Sequence, residues 1–217
     1  MREIKTVSLA DQVFEKLEND IISGVYPRGE ILTELKLVEE LGVSRTPIRE
    51  ALRRLEQERL IQESGKGSVV LGITVEDLID IMEIRQRIEG LAVYHAVKNM
   101  TDENLENLRS ISELQDFYFA KRDLDRLREM DDKFHNMLYV LSGRSVLRDA
   151  LQPLHRKTQR YRKQSISNDS RLEASIREHK EIFGAIEAKD AEKAAELMTK
   201  HISNAKDYMI GRHSNNG

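Results

Sequence analysis

Four side chains in the second half of the chain have the types and spacing of a metal centre. In "MDDKFHNML", Asp131 and His135 stand at i and i+4, on one face of a helix. Met130, Phe134, Leu138 and Leu141 place that face toward an apolar interior. Two further histidines flank a turn near Asp190: His179 lies eleven residues before it and His201 eleven after. In an antiparallel helix hairpin those two rings sit at the same height and face each other. Both adjoin apolar positions, Ile176, Ile182, Phe183 and Ile186 on one helix and Leu197, Met198 and Ile202 on the other. Three imidazole nitrogens and one carboxylate oxygen suit a divalent transition metal, Zn, Ni, Mn or Fe, and do not choose among them. Open coordination positions on such an ion would accept a small carboxylate. The plainer alternative is a set of hydrogen-bonded interior histidines, with Asp131 capping or pairing with Lys133 or Arg128. His95 and His155 lack comparable partners in the pattern and read as ordinary, and His213 falls in a polar tail.

A second constellation lies near the N-terminus. In "GVSRTPIREALRRLEQERL" (42–60), Arg45, Arg49 and Arg53 recur at i, i+4 and i+8, roughly opposite an apolar stripe of Ile48, Ala51, Leu52 and Leu55. Guanidinium forks on a free helix face read guanine edges or clamp phosphate. Ser44, Arg45, Thr46 and Arg49 occupy the helix end that meets bases in a helix-turn-helix. Lys36 on the preceding helix would reach the phosphate backbone, and Lys66, between Gly65 and Gly67, would enter a minor groove. Arg53 and Arg54 are expected on phosphate or on the chain's own glutamates. The alternative is a wet helix face in which Glu50, Glu56 and Glu58 pair with these arginines.

The elements that must position these groups can be read from punctuation. Ser8 caps a first helix with Leu9, Val13, Leu17 and Ile21 inward. "SGVYPRGE" is a turn, "ILTE" a short extended piece and "ELKLVEEL" a short helix stopped by Gly42. Ser44 is the expected cap of the arginine helix, and Pro47 falls in its first turn, where a missing N–H does no harm. "LIQESGKGSVVLG" reads as two strands about a glycine-containing tip. The order is that of a winged helix-turn-helix. A helix from Thr74 and five more, near 102–120, 123–141, 145–165, 170–188 and 190–210, then form an antiparallel bundle. The chain is therefore mainly α, with a winged helix-turn-helix in 1–72, an all-α domain in 73–217, a linker near 72–77 and a polar tail at 211–217.

Composition agrees. Of 217 residues 34% are charged, and no cysteine is present, which excludes thiolate sites and disulfides. No apolar run approaches the roughly 18 residues that would span a bilayer, and "MREIKTVSLADQVFEKL" lacks a signal-peptide centre. A cytoplasmic protein is expected. The net charge of −3 means that any nucleic-acid contact must be local.

"LVEELGVSRTPIREALRRLEQERLI" followed by "GKGSVV" resembles the DNA-binding segment of the GntR superfamily of bacterial transcription regulators, over residues 8–71. The resemblance implies that Arg45 and Arg49 read or anchor operator DNA, with Thr46 on phosphate and Gly67 of the wing in the minor groove. Lys66 and Ser68 depart from the residues that many relatives carry around that glycine. "EIRQRIEGLAV", "DDKFHNMLYVLSG", "EHKEIFGAI" and "KHI" resemble the FCD ligand-binding domain of the FadR subfamily, over about 75–210. Asp131, His135, His179 and His201 match the metal ligands of that family one by one, with Asp132 out of its spacing. The match argues against an acyl-CoA effector, since relatives that bind one lack the set. Arg85 matches an arginine that holds the effector carboxylate, its alternative being a surface pair with Glu89. The whole resembles a homodimeric repressor that binds a pseudo-palindromic duplex under control of a small organic acid. A metal-dependent hydrolase or lyase is the alternative, although no general base or nucleophile motif accompanies the histidines.

Overall fold

The computed structural model describes residues 8–158, 161 and 169–214. The chain divides into two compact units, Met1–Thr74 and Val75–Gly217.

In the first unit the order is α1 (Leu9–Ser23), β1 (Ile31–Leu32), α2 (Glu34–Leu41), α3 (Arg45–Gln57), β2 (Ile61–Ser64) and β3 (Gly67–Val70). Ser8 and Asp11 form a reciprocal capping box at α1. Thr33 caps α2 through the Lys36 amide, and α2 stops at Gly42, whose φ of 66° suits glycine. Ser44 holds the cap position of α3 but, among the described residues, its side chain makes no cap hydrogen bond. Its hydroxyl, exposed at the helix end, stays available for another partner. Leu17, Leu32, Leu37, Ile48, Leu55 and Leu60 are fully buried and join α1, α2, α3 and the sheet into one core. The sheet order is β1-β3-β2, antiparallel throughout, with Ser64 opposite Gly67 at the tip.

Gly67 is demanded by this packing. Its φ is 131°, and a Cβ there would lie 2.7 Å from the Leu32 carbonyl oxygen on β1. Gly67→Ala should lower stability by about 2 kcal/mol or more, because both the backbone conformation and the strand contact must give. A denaturant titration checks this; a loss below ~0.5 kcal/mol would show that the wing tip relaxes freely.

The second unit contains α4 (Val75–Lys98), α5 (Asp102–Lys121), α6 (Leu124–Leu141), α7 (Ser145–Lys157), α8 (Asp169–Glu187) and α9 (Ala191–Ser214). Thr101 and Asp123 cap α5 and α6. Asp190 accepts from the Lys193 amide at 2.9 Å at the start of α9. Val75–Asp77, read from the sequence as linker, form the first turn of α4. Residues 211–214, read as tail, continue α9, while 215–217 and the 159–160 and 162–165 portion of the expected helix 145–165 lie outside the described residues. α4 packs on α6, α7 and α9, α5 on α6 and α8, and α8 on α9. Gly90 lets α4 and α9 come together: a Cβ there would meet Thr199 Oγ1 at 2.5 Å and the Ala195 carbonyl oxygen at 2.8 Å. That close approach brings α4 side chains next to the histidine of α9.

Candidate metal centre and nucleic-acid interface

His135 on α6, His179 on α8 and His201 on α9 are 2%, 2% and 4% exposed. One nitrogen of each lies within 4.8 Å of the others. His179 Nε2 is 3.3 Å from His201 Nε2 and 3.7 Å from Asp131 Oδ1. The three rings are held from behind. His135 Nδ1–H donates to Glu89 Oε1 at 2.6 Å, and His201 Nδ1–H donates to Glu178 Oε2 at 2.6 Å. His179 Nδ1 lies 3.1 Å from the Gln115 amide. In the neutral imidazole form, a ring whose Nδ1–H is engaged as donor, as in His135 and His201, presents Nε2 as a lone pair. Turning the Gln115 oxygen toward His179 makes the third ring match. Lone pairs that converge repel one another, and a cation among them removes the repulsion. Carboxylates behind ligating imidazoles are the usual outer support of such a cation. Burial lowers the proton affinity of His179 well below the ordinary histidine range, and of His201 as well, so both are neutral near pH 7, as ligation requires.

Glu89 belongs to a second set of buried groups. Arg85 and Glu89, at i and i+4 on α4, form an ion pair with Nε to Oε2 at 3.1 Å. They are 2% and 0% exposed, so this pair is interior rather than the surface pair that spacing alone allowed. Arg85 also donates from Nη1 to Thr158 Oγ1 and from Nη2 to His155 Nδ1, each at 3.1 Å. Tyr139 donates to Glu89 at 2.6 Å. Burial alone would raise the proton affinity of Glu89, but Arg85 and His135 hold it well below the ordinary carboxylate range. His155 is correspondingly not an ordinary histidine. It is 1% exposed. Because its Nδ1 accepts from a guanidinium, its Nε2–H is the donor to Asp132 Oδ1 at 2.9 Å.

Arg85, Asp131, His135 and His201 line one small cavity with Arg171 and Met209. Arg171 binds the Glu178 carboxylate, its Nη1 lying 3.1 Å from both oxygens. With His201 also on Glu178, that carboxyl titrates at about 2, burial opposing and His201 and Arg171 favouring the charged form. Sequence patterning missed Glu89, Gln115, His155 and Glu178. Glu178 carried a signal, since it lies next to His179 near the hairpin turn, and Glu89 carried one only as the i+4 partner of Arg85.

In the first unit, Ser44, Arg45, Thr46, Arg49 and Arg53 are exposed along α3, and Lys66 is exposed at the wing tip. Arg49 Nε donates to Glu34 Oε1 at 2.7 Å. Lys36 donates to Glu30 Oε1 at 2.6 Å and lies 3.7 Å from Glu40. Arg54 does not join the outward ladder. It donates to Asp11 Oδ1 at 2.6 Å and stacks over Phe14, 3.9 Å from the ring centre, tying α3 to α1. Carboxylates of α1 and α2, Asp11 and Glu34, thus pair with this helix.

A winged helix with an outward arginine ladder, on one chain with an all-α domain built around buried imidazoles, is the layout of a DNA-binding regulator. Residues 9–70 match the bacterial regulatory proteins of the gntR family and residues 80–204 match the FCD domain. The chain belongs to the gntR family and carries an FCD domain; it is a transcription regulator and not an enzyme. It is 28% identical over 198 residues to the HTH-type transcriptional repressor RspR of Escherichia coli, covering 91% of this chain and 87% of that one. It is 29% identical over 204 residues to the gluconate operon transcriptional repressor of Bacillus licheniformis, covering 91% and 82%. The solved structure of E. coli McbR shares the fold with a TM-score of 0.81 at 24% identity, over 96% of this chain and 100% of that one. Among the described residues no helix is long and apolar enough to cross a membrane.

Proposed function

We propose that the chain is a homodimeric repressor whose hold on a pseudo-palindromic duplex is set by a small organic acid at a divalent-metal site. The observation that carries this reading is the convergence of His135, His179 and His201, each backed at Nδ1, beside Asp131. Those four residues would hold Zn, Ni, Mn or Fe. A divalent ion bound there offers open positions to a carboxylate oxygen.

The chain's own residues shape the response to the acid. Arg85 adds positive potential to the cavity. A carboxylate reaching it would do so at Nη1, whose present partners are the neutral Thr158 hydroxyl and the Met82 sulfur. A repressor of a gluconate operon among the relatives fits control by an acid of this class. α4 carries Arg85 and Glu89 and begins at Val75, directly after the DNA-binding unit ends at Thr74. A change around Glu89 therefore acts on the helix that leads into the winged helix. The acid regulates only if it binds one arrangement better than the other.

On DNA, Ser44, Arg45, Thr46 and Arg49 enter the major groove, Lys36 and Arg53 face phosphate, and Lys66 with Gly67 approaches the minor groove. A dimer sets two such helices one helical turn apart. The test is selection of duplexes from a randomised library by the full chain. An enriched two-fold-symmetric site, whose binding falls steeply with salt, is expected. Recovery of unselected sequence would refute the reading.

A further inference from the structure

The groove between α3 and the wing contains carboxylates where phosphate-binding faces usually carry none. Glu34, Glu56 and Glu63 line it together with Arg49 and Arg53. Glu56 is explained by the fold, since its Oε1 accepts the Glu63 amide at 3.0 Å. Glu34 holds no backbone group in the described contacts. It sits in the first turn of α2 and grips Arg49 on α3 across the helix-turn-helix, 15 positions away in sequence. The Arg49 side chain is 63% exposed and that of Glu34 34%. The Arg49 hydrogen bond holds the Glu34 carboxyl below the ordinary range, and the charge of Arg45 adds to this.

A carboxylate at this position costs non-specific affinity, because it repels phosphate. It gains something only through the arginine. Glu34 takes Nε, and among the described contacts Nη1 and Nη2 hold no partner. A bidentate grip on guanine O6 and N7 needs two parallel N–H groups held in one plane. An untethered arginine on an exposed helix spreads over many rotamers and settles equally well on phosphate. We infer that Glu34 is a positioning residue for sequence readout: it fixes the Arg49 guanidinium for a base edge and withholds it from phosphate. This rests on Arg49 being a DNA-contacting residue.

The two roles of Glu34 give opposite effects on two duplexes. The probes are a duplex enriched by the wild-type chain and a scrambled duplex of the same composition, titrated by fluorescence anisotropy at several salt concentrations. Arg49→Ala comes first: if it leaves the enriched duplex as tightly bound as before, Arg49 is not a reader and the premise fails, separately from the inference. With Arg49 essential, Glu34→Ala should weaken the enriched duplex by roughly 10-fold, the worth of one oriented base contact. The same variant should bind the scrambled duplex more tightly, with a salt slope steeper by up to about one. Glu34→Gln, which keeps an acceptor for Nε–H, should restore most of the selectivity. Tighter binding of both duplexes by Glu34→Ala would reduce Glu34 to a repulsive charge. Weaker binding of both, with the melting temperature lowered, would make it a structural residue. Either result overturns the inference.

Discussion

His179→Ala protein, purified and dialysed against zinc, should retain almost no metal, whereas the unaltered chain retains a full equivalent. His179 closes a triangle of imidazoles, its ring centre 4.6 Å from that of His201 and 5.2 Å from that of His135, which are themselves 5.3 Å apart. Its Nε2 also lies 3.7 Å from Asp131 Oδ1. Removing His179 leaves two nitrogens and one oxygen, one ligand short of the four-coordinate set. Elemental analysis reads the result directly. Glu178→Gln gives a graded companion: the ligand His201 remains, but its Nδ1–H loses a charged acceptor. Its metal affinity should fall by about 10- to 100-fold rather than vanish. Full occupancy in His179→Ala would mean that the ion lies elsewhere, for example among Glu89, His135 and His155, which also converge.

The second large effect concerns stability. Arg85→Met should destabilise the all-α unit by about 3–5 kcal/mol, because it leaves Glu89 charged, fully buried and without its cation. For a chain of this size that corresponds to a melting temperature lower by on the order of 10 °C. The sign comes from desolvation. Water does not reach Glu89, and His135 and Tyr139, its other partners at 2.6 Å, supply hydrogen bonds but no permanent charge. Adding Glu89→Gln to Arg85→Met should recover part of the loss, since no isolated charge then remains. A loss below ~1 kcal/mol in the single variant would show that Glu89 takes up a proton at little cost, and that the pair is not what secures α4 against α6.

Much of the fold could be read from local signals. Ser8, Thr101, Asp123 and Asp190 mark helix starts that the structure shows, and Gly42 marks a helix end. The winged helix followed from the order of its punctuation. The opposition of His179 and His201 was legible because a tight turn at Asp190 makes equal sequence distances equal heights. The Glu89–His135 contact was not legible. Its members are 46 residues apart on α4 and α6, and their meeting depends on how those helices cross and on which face each turns inward. Periodicity names a buried face but not the partner opposite it. His155 read as ordinary for the same reason: its partners Arg85 and Asp132 come from two other helices. Arg54 followed the ladder in sequence, but its position one residue past Arg53 turns it about 100° around the helix, toward Asp11 and Phe14.

Coupling between the acid site and DNA binding is tested most directly by fluorescence anisotropy of the enriched duplex. Zinc-loaded protein and chelator-stripped protein, the latter verified as folded by its helical circular dichroism, are each titrated with a panel of small mono- and dicarboxylates. At least one acid should change duplex affinity by about fivefold or more in the loaded protein, the lower end of ordinary allosteric coupling, and leave the stripped protein unaffected. Equal responses in the two preparations, or none in either, would contradict a metal-held acid that controls DNA binding.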